Sequence, residues 1–179
     1  MSITTRTGDQ GTTMLFSGEQ VSKADPRLDA LGDLDEVVSL LGVARACGLP
    51  EPLRDAVLKL QKDLFVVGAE LASAGSPDQA ADGRWVDSVF LADLEARRDA
   101  LEAETPHPKD FILPGETPAG AQLDLARAVA RRLERRVAQQ SAQSPTPPRV
   151  AIWLNRLSDY LWLMARAAET RSRPLRDPS

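Results

Sequence analysis

One cysteine and one histidine stand among 179 residues, and each shortage closes off a class of chemistry. Cys47 alone excludes an intrachain disulfide framework. With His107 as the only imidazole, the chain assembles neither a zinc site nor the paired Glu-x-x-His ligands of a ferritin-like di-iron centre. Aromatic residues make up 4% of the chain, while Ala, Leu, Arg, Glu and Asp dominate, a balance that favours helices over sheets. No apolar run reaches the roughly 18 residues that a membrane span requires. The N-terminus also lacks the basic-then-apolar layout of a secretory leader, so a soluble, cytoplasmic protein without a membrane partner is expected. Positive charge is in deficit too: 26 acidic residues face 22 basic ones, for a net charge of −4. That argues against general nucleic-acid binding and leaves local basic clusters to meet a small polyanion. The length suits one domain with a proper core, so a single domain over residues 1–179 is expected, residues 1–24 forming a separate N-terminal segment.

What the chain does have begins at residues 5–13, Thr-Arg-Thr-Gly-Asp-Gln-Gly-Thr-Thr. Gly8 and Gly11 permit the positive φ that turns successive N–H groups to one side, making a concave nest for phosphate oxygens. A tight hairpin is the competing reading. The stretch is not a Walker A loop, because no Gly-Lys-Ser/Thr follows it.

Beyond this segment, apolar residues recur at three- and four-residue steps in five blocks. Asp25 as N-cap and Pro26 at the first helical position open a helix over about 26–47, with Leu28, Leu31, Leu34, Val38 and Leu41 inward. Gly48 closes it. A second helix follows Pro50 to about Ser73, with Leu53, Val57, Leu60, Leu64, Val67 and Leu71 inward. Residues 74–84 have no period and read as a surface loop. Val86, Val89, Phe90, Leu94 and Leu101 mark a third helix. Then comes a proline-fenced connection over 105–114 carrying the apolar triplet Phe111, Ile112 and Leu113, which no helix absorbs. A fourth helix runs from the Thr117-Pro118 cap to about 141, with Leu123, Leu125, Val129, Leu133 and Val137 inward. A fifth, capped by the proline-rich stretch 144–148, buries Val150, Trp153, Leu154, Leu157, Leu161 and Met164. Residues 171–179 are expected to fray. The fold class predicted is all-α, a five-helix antiparallel bundle with an irregular N-terminal loop.

Three groups of polar residues interrupt these helices. Arg127, Arg131 and Glu134 stack on one face of the fourth helix, with Arg132 beside them, and read either as a solvated face or as a clamp for several phosphates. Asn155 and Asp159 lie one turn apart on the fifth helix, near positions otherwise buried, where polar groups need partners. Asp33, Asp35 and Glu36 sit in the first helix. An aspartate there either neutralises an arginine of the fourth helix or forms an exposed acidic turn.

Taken together, the stretches at 5–13, Ser-Lys-Ala-Asp-Pro-Arg at 22–27, Gly-Asp-Leu-Asp-Glu at 32–36, Phe-Ile-Leu-Pro-Gly at 111–115, Ala-Arg-Ala-Val-Ala-Arg-Arg-Leu-Glu-Arg-Arg at 126–136 and Leu-Asn-Arg-Leu-Ser-Asp-Tyr-Leu at 154–161 resemble the PduO-type ATP:cob(I)alamin adenosyltransferases. The resemblance implies transfer of the 5′-deoxyadenosyl group of ATP to cob(I)alamin, with a cobalamin carrier or nucleotide-dependent sensor on the same bundle as the alternative. It implies a homotrimer with a site at each subunit boundary, magnesium accompanying the triphosphate, and a reductase and an adenosylcobalamin-dependent mutase as further partners.

By the same resemblance, ATP is held by Thr5, Arg6, Thr7, Gly8, Asp9, Gln10, Gly11, Thr12 and Thr13 of the loop together with Lys23. The fourth helix adds Arg127, Ala128, Val129, Ala130, Arg131, Arg132 and Glu134, and the fifth adds Asn155. Arg127 and Arg131 serve catalysis, Asp35 pairs with Arg131 across the subunit interface, and Phe111, with Ile112 and Leu113, lies against the corrin ring and excludes its lower axial ligand. Protein ligands for a metal are not identified. The sequence departs from the family's pattern at Glu116, where a second glycine is expected, and at Asp124, where a histidine is. An acid at 124 beside a polyanion is unfavourable, so Asp124 is not expected to touch phosphate.

Overall fold

The computed structural model describes residues 4, 6–15, 17–73, 85–141, 148–169 and 173–175. Thr5, the surface loop over 74–84 and the proline-rich cap at 144–147 lie outside the described residues. A short hairpin comes first, β1 (Thr12–Met14) paired antiparallel with β2 (Gln20–Ser22) in the register Thr13 opposite Val21. Five helices follow: α1 (Pro26–Ala46), α2 (Glu51–Ala72), α3 (Ser88–Glu104), α4 (Pro118–Ser141) and α5 (Pro148–Ala167). Between α3 and α4 lies β3 (Ile112–Leu113), and beyond α5 lies β4 (Arg173–Pro174), which pairs with it antiparallel.

Local chemistry sets the ends of these elements. The Asp25 carboxylate accepts the Arg27 N–H at 2.9 Å, Pro26 fills the first helical position, and Gly48, at φ +88°, takes the left-handed conformation that ends α1. Asp87 caps α3 through the Phe90 N–H at 2.8 Å. At the start of α4 the Thr117 hydroxyl accepts the Gly120 N–H at 3.0 Å and donates to the Ala168 carbonyl at 3.2 Å, which ties the beginning of α4 to the end of α5.

Side-chain pairs give the helix directions. Arg136 reaches Asp29 and Arg132 reaches Asp33, so α1 and α4 run antiparallel. Asn155 meets Glu134 and Arg166 meets Asp124, so α4 and α5 do as well. Phe90 packs on Trp153 and Arg156 binds Glu95, which makes α3 parallel to α5. The helices thus alternate in direction along the chain. The hairpin leaves the end of the bundle where α1 begins, while the 105–117 connection, the start of α4 and the tail strand gather at the opposite end.

The core is the apolar stripe of each helix. Leu41, Leu60, Leu64, Leu94, Leu123, Leu133, Trp153, Leu154, Leu157 and Leu161 are sealed from solvent. In α1 the buried line runs through Ala30, Leu34, Val37, Leu41 and Ala44 rather than through Leu28, Leu31 and Val38, because α2 and α4 both pack on it. Two residues expected inward are not: Val89 is 74% exposed and Leu125 48%. The tail departs from the expected fraying at 173–175, where the β3 edge supplies backbone partners and the Leu175 N–H donates to the Phe111 carbonyl at 2.7 Å.

Candidate functional site

The hairpin end carries the glycine-bearing loop. Arg6 (φ +59°) and Gly11 (φ +79°) adopt left-handed backbone there, and the Gly11 carbonyl accepts the Lys23 N–H at 2.8 Å. The Lys23 ammonium lies against Gly8, where a Cβ would meet Nζ at 3.0 Å, so loop and lysine form one cationic surface. Thr7, Asp9 and Gln10 are exposed, while Thr12 and Thr13 are half-buried in the strand. The hairpin thus begins at Thr12, and the glycine-bearing loop lies ahead of it.

A guanidinium clamp fixes this surface to α1. Arg27 binds Glu19 through both Nη groups at 2.9 and 3.0 Å, and Asp25 through Nε and Nη2 at 3.0 and 2.9 Å. Those bonds hold the Glu19 and Asp25 carboxyls below their ordinary range and raise Arg27 above its own. Lys23 is thereby held between two anchored residues.

At the α1–α4 seam an aspartate of α1 does neutralise arginines of α4, and within this chain it is Asp33: its Oδ1 accepts from Arg132 Nε at 3.0 Å and from Arg136 Nη1 at 3.1 Å, and Glu36 takes the other edge of Arg132. Two residues turn a helix by about 200°, so when Asp33 faces α4, Asp35 faces away. Asp35 and Arg131 are both exposed, and no pair joins them in this chain. Arg132 is thus engaged by Asp33 and Glu36 within this chain.

Val129 and Ala130, expected beside ATP, have their side chains in the core and their backbone groups inside α4. Ala128 is exposed. Asn155 and Asp159 are on the exposed side of α5, not near its buried stripe. Asn155 still meets Glu134, donating from Nδ2 at 3.1 Å, and its Oδ1 accepts from Arg156 at 2.8 Å. Arg131, Glu134 and Asn155 thus lie along the exposed surface of α4 and α5.

At the opposite end a cleft of about 540 Å³ opens between the 108–114 connection, α4 and α5. Phe111, 84% exposed, and Ile112 form one wall, and Arg127 with Trp162 and Arg166 forms the other. Sequence reasoning missed Trp162 and Arg166. The signal was an arginine closing the apolar run Leu-Trp-Leu-Met-Ala-Arg, a charge that burial obliges to find a partner. Asp124 is that partner: it is buried, binds Arg166 at 2.5 Å and lies 3.7 Å from Arg127. The aspartate is neutralised locally.

One chain does not assemble all the expected groups. The first turn of α1 lies level with Arg136, and Arg127 is nine residues, about 13 Å, further along α4. Among the described residues, none lining the cleft of Arg127 and Phe111 comes from the hairpin segment. Nor do the described residues contain a group of three His, Cys, Asp or Glu side chains placed to hold a metal ion, and none of the helices is long and apolar enough to cross a membrane.

Comparison with known proteins places these features in context. Residues 3–168 match the family model described as cobalamin adenosyltransferase. A corrinoid adenosyltransferase of Citrobacter freundii is 40% identical over 171 residues, covering 94% of this chain and 95% of that protein. The PduO corrinoid adenosyltransferase of the same organism is 41% identical over 170 residues, and there the chain spans about half the relative's length, 50%. Among solved structures, a phenylalanine-to-alanine variant of the PduO-type ATP:corrinoid adenosyltransferase of Lactobacillus reuteri, complexed with cobalamin and ATP, superposes with a TM-score of 0.87 at 29% identity, covering 98% of this chain and 100% of that one. An arginine-to-lysine variant of the Lactobacillus reuteri protein, complexed with ATP, gives a TM-score of 0.84 at 30% identity.

Proposed function

The chain belongs to the cobalamin adenosyltransferase family, and on that premise we propose the following working of its site: it transfers the 5′-deoxyadenosyl group of ATP to the cobalt of cob(I)alamin and releases triphosphate. The observation that carries this reading is the cleft in which Arg127, a cation suited to a phosphate tail, faces the exposed apolar wall of Phe111 and Ile112.

The reaction asks little acid–base chemistry of the protein. The cobalt(I) electron pair attacks C5′ of the ribose, a Co–C bond forms as the C5′–O bond breaks, and the electrons of that bond leave on triphosphate. What the protein supplies is alignment, neutralisation of the departing charge and exclusion of water. Lys23 against the glycine loop, Arg127 and Arg131 are the neutralising groups, with Asn155 beside them. Phe111, flanked by Ile112 and Leu113, covers one face of the corrin ring and keeps the lower ligand away from cobalt. The described residues offer no cage for magnesium, so a magnesium ion would enter on the triphosphate oxygens with most of its water.

Lys23 precedes the first turn of α1, and Arg127 lies about 13 Å further along α4 in a cleft that the hairpin does not line, so the complete site takes the hairpin from one copy and the α4 face from another. A homotrimer closes such a head-to-tail contact into a ring, and in it Asp35 of one copy pairs with Arg131 of the next. We place the protein in the cytoplasm as a single domain over 1–179. A reductase upstream supplies cobalt(I), and a mutase downstream uses the product.

The test is incubation with ATP, magnesium and chemically reduced cobalamin, following adenosylcobalamin by absorbance and triphosphate by chromatography. One triphosphate per adenosylcobalamin is expected. Release of orthophosphate, or tight binding of both substrates without product, overturns the reading, the latter in favour of a carrier.

A further inference from the structure

We propose that Asp124 is a positioning residue for Arg127: one carboxylate oxygen is locked by Arg166, and the other receives the Arg127 Nε–H and so aims the outer guanidinium nitrogens at the triphosphate. The proposal rests on the reading of Arg127 as a phosphate-facing group.

Asp124 and Arg127 are three residues apart on α4 and therefore on one side of it. The carboxylate is 6% exposed and is not mobile, because Oδ2 accepts from Arg166 Nη2 at 2.5 Å, a charge-assisted bond. Arg166 is itself buried. It is held by Glu169, whose Oε1 accepts from Nη2 at 3.2 Å, and its guanidinium lies 5.7 Å from the centre of the Trp162 ring.

The remaining oxygen, Oδ1, is 3.7 Å from Arg127 Nε, beyond hydrogen-bond range. That same Nε is buried with no hydrogen-bond partner. A buried donor left unpaired is costly, and this carboxylate oxygen is less than 1 Å too far. Closing this gap takes a small torsion of a side chain that is one-third exposed. Once Nε is engaged, the planar guanidinium has one free direction in which its Nη groups present a fork to a phosphate.

Charge balance explains how an acid is tolerated here. Two guanidiniums, Arg127 and Arg166, face two carboxylates, Asp124 and Glu169, so the cluster carries no net repulsion toward an incoming polyanion. A neutral histidine at 124, where the family pattern leads, would leave Arg166 with Glu169 alone.

The experiment is a double-mutant cycle of Asp124→Asn and Arg127→Lys, measured as kcat and KM for ATP and for the corrinoid. The wild-type protein must first make adenosylcobalamin, which separates failure of this proposal from failure of the proposed function. Asp124→Asn is expected to lower kcat about tenfold while both KM values stay within about threefold. With Lys at 127 there is no Nε–H to aim, so adding Asp124→Asn is expected to cost nothing more. Losses that multiply, a rise in corrinoid KM alone, or unchanged kcat in Asp124→Asn overturn the proposal. If Asp124→Asn does not fold, the wild-type protein labelled on arginine nitrogen still decides. The Arg127 Nε–H resonance, assigned by its loss in Arg127→Lys, should move downfield and exchange more slowly when ATP is added, and an unmoved resonance overturns the proposal.

Discussion

Arg131 projects from the exposed side of α4 and forms no ion pair within its own chain, so its removal leaves the packing of the bundle intact. Arg131→Ala is expected to reduce kcat by about 100- to 1,000-fold, the scale of losing one preorganised charge at a departing anion, with helical circular dichroism unchanged. Turnover near wild type would remove it from the site. Glu70 offers a contrasting case. It is buried at the end of α2, and desolvation holds its carboxyl above the usual range against the opposing effects of the Val86 N–H at 2.8 Å and of Arg149. A raised folded-state value means that stability is fullest where Glu70 is protonated and falls as pH rises through that value. Glu70→Gln is therefore expected to raise Tm at pH 8, with the gain vanishing as pH falls toward the ordinary glutamate value of 4.5. An equal gain at both ends would show that titration is not involved. At this scale the sequence revealed which helices carry arginine and acid but not which pair meets. Asp33 and Asp35 are indistinguishable by composition, and only the rotation of α1 against both its neighbours decides between them.

The element whose role was least legible is the tail strand. Residues 171–179 have no period and many charged and proline residues, and a two-residue strand leaves no alternation to read. Its order comes from a partner far away in sequence: β3 provides the edge, Leu175 bonds to the Phe111 carbonyl, and Arg173 binds Glu116 at 2.9 Å. Glu116, a departure from the family's pattern, thus serves to anchor the tail. Deleting residues 170–179 is expected to raise corrinoid KM about tenfold, the equivalent of one or two net backbone hydrogen bonds, and to leave ATP KM within about twofold. A change in ATP KM of the same size would place the tail elsewhere in function. The helices, by contrast, were legible because each repeats its apolar spacing over more than about four turns. The errors fell on single positions such as Val89 and Leu125, where an apolar residue sits at the rim of its stripe.

At the scale of the whole molecule, the separation of Lys23 from Arg127 makes a quantitative prediction about assembly. Lys23→Ala and Arg127→Ala should each be inactive alone. In rings built from an equal mixture of the two chains, a site is intact when its hairpin comes from the Arg127→Ala chain and its α4 face from the other, so about a quarter of wild-type activity should return. Mixed chains that stay inactive would put both groups in one subunit, and light scattering giving an active monomer of 19.4 kDa would do the same. The arrangement across copies was not legible from periodicity, which describes how a chain packs on itself.

Five rods of alternating direction are an odd number, and parity leaves the hairpin and the tail strand at opposite poles of the bundle. Joining them in a circular permutant would need a tether long enough to run the length of a helix of about 20 residues, some 30 Å. A dye at one pole and a contact quencher at the other would accordingly stay out of reach of each other inside one molecule, and quenching on mixing would time the meeting of head with tail.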